Sequence, residues 1–223
     1  EEEPKVPSNI MFIDIETYSE TRVNSSAHDA NDPIAIIRYS YNGIKKSLVL
    51  YPKVLKITNQ LIDTTNKEIV ICNSEATLLT TFFNDVRNSE CDVITGWYSN
   101  DFDMQYIINR SKKIRVDCTK MSKFGEADYN KYQFYPDAAG IVFLDMLELY
   151  KQFTFGGRES YSLDFIGNLE LKKGKTDKGV NFSNSFRTDI NKAILYNIND
   201  VDLLEELDEK LQHIFFQDEL KRT

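Results

Sequence analysis

From Met11 to Thr17 the chain reads M-F-I-D-I-E-T. Successive side chains of an extended strand point to opposite faces, so Met11, Ile13 and Ile15 share one face and Asp14 and Glu16 share the other. Few short segments restrict a fold as much. One face has to be buried, and the other has to present two carboxylates about 6.5 to 7 Å apart along the backbone. Like charges so placed repel and raise each other's pKa unless a cation lies between them. A strand with a merely wet polar face would show the same pattern, so D-x-E needs support from elsewhere in the chain.

Apolar and β-branched runs predict strands near Ile10 to Glu16, Ile34 to Tyr41, Ser47 to Tyr51, Val93 to Thr95 and Ile141 to Leu144. Asn42-Gly43 between the second and third is a hairpin signal. Helical periodicity predicts helices from Glu75 to Val86 after a Ser74 cap, from Asp101 to Lys112, from Asp145 to Phe153, around Leu163 to Asn168, and from Ile190 to about Phe216. Strands come first and helices gather later, the order of an α/β domain with a mixed sheet covered by helices. The 223 residues are 41% hydrophobic and 28% charged, with no repeat, low-complexity tract or linker, so a single domain over residues 1–223 is expected.

Cys72, Cys91 and Cys118 are an odd number without C-x-x-C spacing, which suggests neither a disulfide framework nor a zinc site and points to a reducing, intracellular setting. No apolar run approaches the roughly 18 to 20 residues of a membrane span, and Glu1 to Pro7 is acidic rather than a signal peptide. A membrane or secreted role is therefore not expected. The first residue is not Met, and the chain reads as a piece of something longer. A net charge of −8 argues against a surface that grips nucleic acid everywhere, because phosphate binding rests on lysine and arginine. Two local basic clusters, Lys112, Lys113 and Arg115, then Lys172, Lys173, Lys175 and Lys178, stand out in this acidic chain; such runs are also ordinary solvated faces.

Two later segments give the strand acids company. In W-Y-S-N-D-F-D-M-Q-Y, from Trp97, Asp103 falls in the first turn of a helix with Phe102 and Tyr106 beside it. The helix dipole alone favours an acid there. Asp101 competes for the role, but only Asp103 directly follows Phe102. In the last helix an apolar stripe runs through Ala193, Tyr196, Asp200, Leu203, Leu204, Leu207, Leu211 and Ile214 at spacings of three and four. A carboxylate inside a stripe meant for burial is costly unless paired or bound to metal. Tyr196 precedes Asp200 by one turn on the same face. The alternative is a charge at the start of a second helix after a break near Asn199.

D-x-E on a strand, F-D at a helix start and Y-x-x-x-D near the chain end resemble, in that order, the three exonuclease motifs of the DEDD superfamily, Tyr subtype. The resemblance extends to I-T-G-W from Ile94, Y-I-I-N-R from Tyr106, L-D-M-L-E-L-Y-K from Leu144, S-Y-S-L-D-F-I from Ser160 and Y-N-I-N-D-V from Tyr196. Over nearly the whole chain these are similar to the 3′→5′ proofreading exonuclease domain of family B DNA polymerases of large tailed bacteriophages. The His subtype would place histidine where Leu195 stands, and His28 and His213 lie outside every motif.

The resemblance implies a ribonuclease H-like fold, Mg²⁺ or Mn²⁺ as cofactor, and removal of 3′-terminal nucleotides from single-stranded or mispaired DNA by a domain joined to the rest of a polymerase. Oxygen ligands suit hard divalent cations, and two ions about 4 Å apart would activate the attacking water and stabilise the leaving 3′ oxygen. By that analogy Asp14, Glu16 and Asp200 hold one ion, Asp14 bridges to the second, Asp103 binds the second directly or through water, and Tyr196 orients the water. Phe102 either stacks on terminal bases or serves as a core contact. Where the family's second motif carries Asn, this chain departs with Tyr98, at the position that in the family makes a polar contact to the substrate strand. The family's β-hairpin has only Lys120 to Tyr135 to form in, around Phe124-Gly125. Palm motifs of the S-L-Y-P and Y-x-D-T-D types are absent, so the chain is not expected to synthesise DNA. Two other readings stay open: a stand-alone nuclease of the same superfamily, and a catalytically silent structural domain.

Overall fold

The computed structural model describes residues 8–20, 26–130, 135–173 and 182–222. Its strands are β1 (Ile10–Thr17), β2 (Ile34–Tyr41), β3 (Ile44–Leu50), β4 (Ile69–Cys72), β5 (Val93–Gly96), β6 (Ala127–Asn130), β7 (Tyr135–Ala138) and β8 (Val142–Asp145). Six of them form one mixed sheet in the order β4-β3-β2-β1-β5-β8, and β6 pairs with β7 in a separate ribbon. Strand β1 lies inside the sheet, antiparallel to β2 and parallel to β5.

The hairpin signal is borne out. Asn42 and Gly43 both have positive φ, +48° and +76°, and Tyr41 pairs with Ile44 across them. A two-residue turn of this hand matches the twist of the flanking strands. It also returns the chain to the ladder at once, which is why β3 begins at Ile44 rather than at the predicted Ser47. Strand β4 was not predicted; its four residues gain their conformation from parallel pairing with β3. Strands β6 and β7 pair as a ribbon whose last pair is Asn130 with Tyr135, so Phe124 and Gly125 lie before it rather than at its turn; residues 131–134 lie outside the described residues.

The helices are α1 (Glu75–Ser89), α2 (Asp103–Lys113), α3 (Met146–Phe153), α4 (Leu163–Leu171), α5 (Phe182–Thr188), α6 (Ile190–Leu211) and α7 (His213–Arg222). The Ser74 hydroxyl accepts from Thr77 N at 3.1 Å and caps α1 as expected. Helix α2 starts two residues later than predicted, on Asp103 itself, and Asp145 is the cap of α3 rather than its first residue. Helix α6 runs unbroken through Asn199, which removes the alternative of a break there; the break comes at Gln212, left-handed at φ +52°, and α7 follows where one long helix was predicted.

The alternation in β1 separates two cores. Met11, Ile13 and Ile15 join the cluster that holds Leu78, Phe82 and Phe83 of α1 and Met104, Ile107 and Ile108 of α2. Phe12, on the opposite face, joins Met146, Leu149, Ile166, Val201, Leu204 and Leu207 from α3, α4 and α6. Asp14 and Glu16 continue the Phe12 face, so the acids emerge where α6 lies against the sheet. The three cysteines are buried and unbridged.

Candidate active site

Helix α6 runs back along β1. Phe12 shares a core with Val201 and Leu204, and one residue pair further along the strand Asn197 Nδ2 donates to Asp14 Oδ2 at 2.5 Å. Asp200 lies between these contacts, 5% exposed. One carboxylate oxygen each from Asp14, Glu16 and Asp200 falls within a set whose members all lie within 4.8 Å of one another. Such a donor set fits a hard divalent cation, because every ligand atom is an anionic oxygen and the mutual repulsion of the acids is relieved only by positive charge between them.

The helix is latched to the sheet by charge. Lys45 Nζ on β3 reaches Asp202 at 2.6 Å and Glu205 at 2.7 Å. Arg38 on β2 is fully buried, sits directly across the ladder from Asp14, and pairs with Glu68 at 2.9 Å and with Asp202 at 4.0 Å. Its side chain also donates to Ser47 Oγ at 3.2 Å. A positive charge thus lies beside the strand acids, tied into the contacts that hold α6.

Asp103 reaches the site differently. Strand β5 pairs with β1 only as far as Phe12↔Thr95 and then turns away at Gly96. A Cβ at Gly96 would lie 2.6 Å from Ile13 O, so only glycine permits this close approach of β5 to β1 where their pairing ends. The amide of Ile15 would be left without a strand partner, and Asp103 Oδ1 accepts it at 2.9 Å. The Asp103 carboxyl is pushed well above the usual carboxylate range, first by burial and then by the charge of Asp14. Asp14, Glu16 and Asp200 are therefore gathered at ligand distance, and Asp103 stands behind the peptide that joins the two strand acids.

Residues 1–166 match the family model described as DNA polymerase family B, exonuclease domain. The chain belongs to that family. It is a 3′→5′ exonuclease domain of the phage type, and its mixed six-stranded sheet with flanking helices is the ribonuclease H-like fold that family predicts. Over 151 residues it is 32% identical to the DNA-directed DNA polymerase of Escherichia phage RB69, covering 64% of this chain and 17% of that protein. Over 145 residues it is 30% identical to the DNA-directed DNA polymerase of Enterobacteria phage T4, covering 61% of this chain and 16% of that protein. A DNA polymerase of Autographa californica nuclear polyhedrosis virus is 26% identical over an alignment covering 95% of this chain and 23% of the viral protein. The exonuclease domain thus spans less than a quarter of each of these relatives.

The family's second motif lies in the loop between β5 and α2, which Asp145 organises. Its buried carboxylate accepts from Tyr98 N at 3.1 Å, Asn100 N at 3.1 Å and Leu147 N at 2.9 Å, so one side chain fixes the loop and caps α3. Trp97 Nε1 donates to Tyr161 O at 2.9 Å and pins the same loop from the other side. Tyr98 has φ +63°, the left-handed conformation that asparagine tolerates better than tyrosine, and its ring is 49% exposed. Phe102 is half-buried against the core and stacks on Tyr106 with centroids 5.7 Å apart, so the core contact is real. Tyr196 is half-buried one turn before Asp200 on α6, while Leu195 faces outward.

The Y-I-I-N-R segment of the exonuclease domain builds scaffold. Tyr106 Oη bridges the backbone of Asp32, Asn109 donates to Ala27 O at 3.0 Å, and Arg110 binds Ala30 O and Asn31 O. Arg110 also pairs with Glu75 at 2.8 Å, tying α2 to α1. Three residues of the basic clusters are engaged internally: Lys112 pairs with Asp128, Lys113 with Asn31, and Lys173 with Glu206 at 2.8 Å. Lys175 and Lys178 lie outside the described residues. No described helix is long and apolar enough to cross a membrane. Asn197, Arg38 and Asp145 escaped the sequence reading. A lone charge in the buried run I-A-I-I-R-Y-S-Y was the available signal for Arg38.

Proposed function

We propose that this domain removes nucleotides one at a time from the 3′ end of single-stranded or unpaired DNA, proofreading for a polymerase of which it is part. The observation that carries the reading is the trio Asp14, Glu16 and Asp200, joined from the first strand and the longest helix within 4.8 Å of one another. Asp14, Glu16 and Asp200 would hold one Mg²⁺ or Mn²⁺, and Asp103, behind the Ile15 peptide, would with Asp14 bind a second directly or through water. Ions bound there supply Lewis-acid polarisation of the phosphodiester and a more acidic attacking water.

The chain's own residues do the rest. Tyr196, one turn from Asp200, orients the water through its hydroxyl. Burial of Asp200 and Asp103 lowers the local dielectric, which strengthens every charge interaction at the reacting group. The exposed Tyr98 ring and the edge of Phe102 offer faces to terminal bases, a contact that tolerates any sequence. A terminal nucleotide has to leave its partner before its phosphate reaches the acids, and unpairing costs a few kcal/mol. With a net charge of −8 and with Lys112, Lys113 and Lys173 paired internally, the domain binds DNA weakly and with steep salt dependence. The remaining domains of the polymerase are the partner that delivers the strand.

The test is digestion of 5′-labelled single-stranded and blunt duplex DNA in Mg²⁺. The expected result is a ladder shortening from the 3′ end of the single strand, little change in the duplex, and none with chelator. Equal rates on both, or shortening from the 5′ end, would indicate a general nuclease. No release at any concentration of Mg²⁺ or Mn²⁺ would leave a silent structural domain.

A further inference from the structure

Asn197 is fully buried on α6, three residues before Asp200 and therefore on the same helical face. Its amide nitrogen lies 2.5 Å from Asp14 Oδ2. Its amide oxygen is buried and finds no hydrogen-bond partner among the described residues. Packing alone does not ask for such a residue, since an aliphatic side chain would fill the space without an unsatisfied acceptor. The nitrogen has to be the atom facing Asp14, because the oxygen would oppose another acceptor.

The surroundings give that bond a purpose. Asp14 faces Glu16 and Asp200 within 4.8 Å, and a carboxylate left to itself would swing away from two like charges. A neutral donor restrains the Asp14 carboxylate without neutralising it, so its charge remains available to a cation. A lysine or arginine at this place would hold Asp14 equally well but would compete with a cation. Partners that orient ligands in this way set metal affinity in many metalloproteins, typically by about 10- to 100-fold.

The geometry points to Asn197 as a positioning residue that fixes the Asp14 carboxylate in its metal-binding orientation and so sets the affinity of the domain for divalent cations. The inference rests on the metal site proposed above. It is tested on the full chain by titrating Mn²⁺ with electron paramagnetic resonance detection of the free ion, for wild type, Asn197→Leu and Asn197→Ala. Leu removes both the donor and the orphaned acceptor while keeping the volume; Ala covers the case in which Leu disturbs α6. Circular dichroism without metal establishes that each variant is folded. Mn²⁺ binding weaker by about 10- to 100-fold in a folded variant, with a nuclease deficit that shrinks as Mg²⁺ is raised, supports the role. Folded variants that bind Mn²⁺ as tightly as wild type overturn it. A wild type that binds no Mn²⁺ overturns the metal site itself, and the role of Asn197 with it.

Discussion

Asp103 Oδ1 accepts the backbone N–H of Ile15 at 2.9 Å, so the first residue of α2 completes the hydrogen bonding of the strand that carries the other acids. Structural and chemical roles can be separated here. Asp103→Asn keeps an acceptor for Ile15 and removes the cost of burying a charge, so it should stay folded with a melting temperature at neutral pH no lower than wild type, yet lose nuclease activity. Asp103→Ala leaves the buried amide unsatisfied and should in addition cost about 1 to 3 kcal/mol in denaturant unfolding. Equal stability of the two variants would mean that the bond contributes nothing.

The acids crowd one another when no cation is present. The folded-state pKa of Asp103 lies above its ordinary value, so the folded domain binds the proton more tightly than the unfolded chain. The Asp103 contribution to stability without metal is then fully present below the unfolded pKa and is lost as pH rises through the folded pKa. Replacing both Asp14 and Glu16 by Ala removes the Asp14 charge, the second cause of the shift after burial, so it lessens that loss without removing it, and it abolishes digestion. Unfolding midpoints in chelator from pH 4 to 8 check the slope, and added Mg²⁺ should raise the midpoint of wild type but not of the double variant.

Tyr98 sits at φ +63° with half its surface in solvent, a conformation that costs a β-carbon-bearing residue roughly 1 to 2 kcal/mol. Tyr98→Asn should stabilise the domain by about 1 kcal/mol, since asparagine accepts this conformation and little packing is lost. If the ring also meets DNA, the same change weakens single-strand binding without altering the rate at saturating substrate. Thermal unfolding and a split of kcat from KM on an oligonucleotide measure the two effects.

Asp208 lies two turns beyond Asp200, beside Trp97, Met146, Tyr150 and His213, and takes no part in the site. Burial pushes its carboxyl up to about 6, only partly offset by the amide of Ile214. A raised pKa means that stability present below the unfolded value of 3.8 is lost as pH climbs to about 6. Asp208→Asn keeps an acceptor for Ile214 and should gain about 2 kcal/mol at pH 7, with no gain at pH 3.5. Denaturation of the variant at both values checks the sign.

The residues legible from the sequence were those where one periodicity collided with one charge. Asp14 and Glu16 shared a face in a strand whose other face was apolar, and Asp200 interrupted a helical stripe. Arg38 breaks an apolar run in the same way and could have been read by the same reasoning. Asn197 gave no such sign, because an uncharged amide in a helix becomes informative only once its neighbour across the fold is known. Asp145 was readable as a helix start, but its clamp on Tyr98 and Asn100 spans 47 and 45 residues and has no local signature. Strand β4 and the pairing of β6 with β7 were likewise decided by partners elsewhere in the fold rather than by the four residues of each strand.

Asn197 and Asp14 touch across 183 residues of chain. Contacts of such separation form late, after shorter loops have closed. A polypeptide still emerging from the ribosome, or one partly unravelled by heat, therefore carries the strand acids without their helical partner and cannot cut. On the proposed site, digestion waits on the meeting of β1 and α6, so digestion of a labelled strand would serve as a stringent assay for a fully assembled domain.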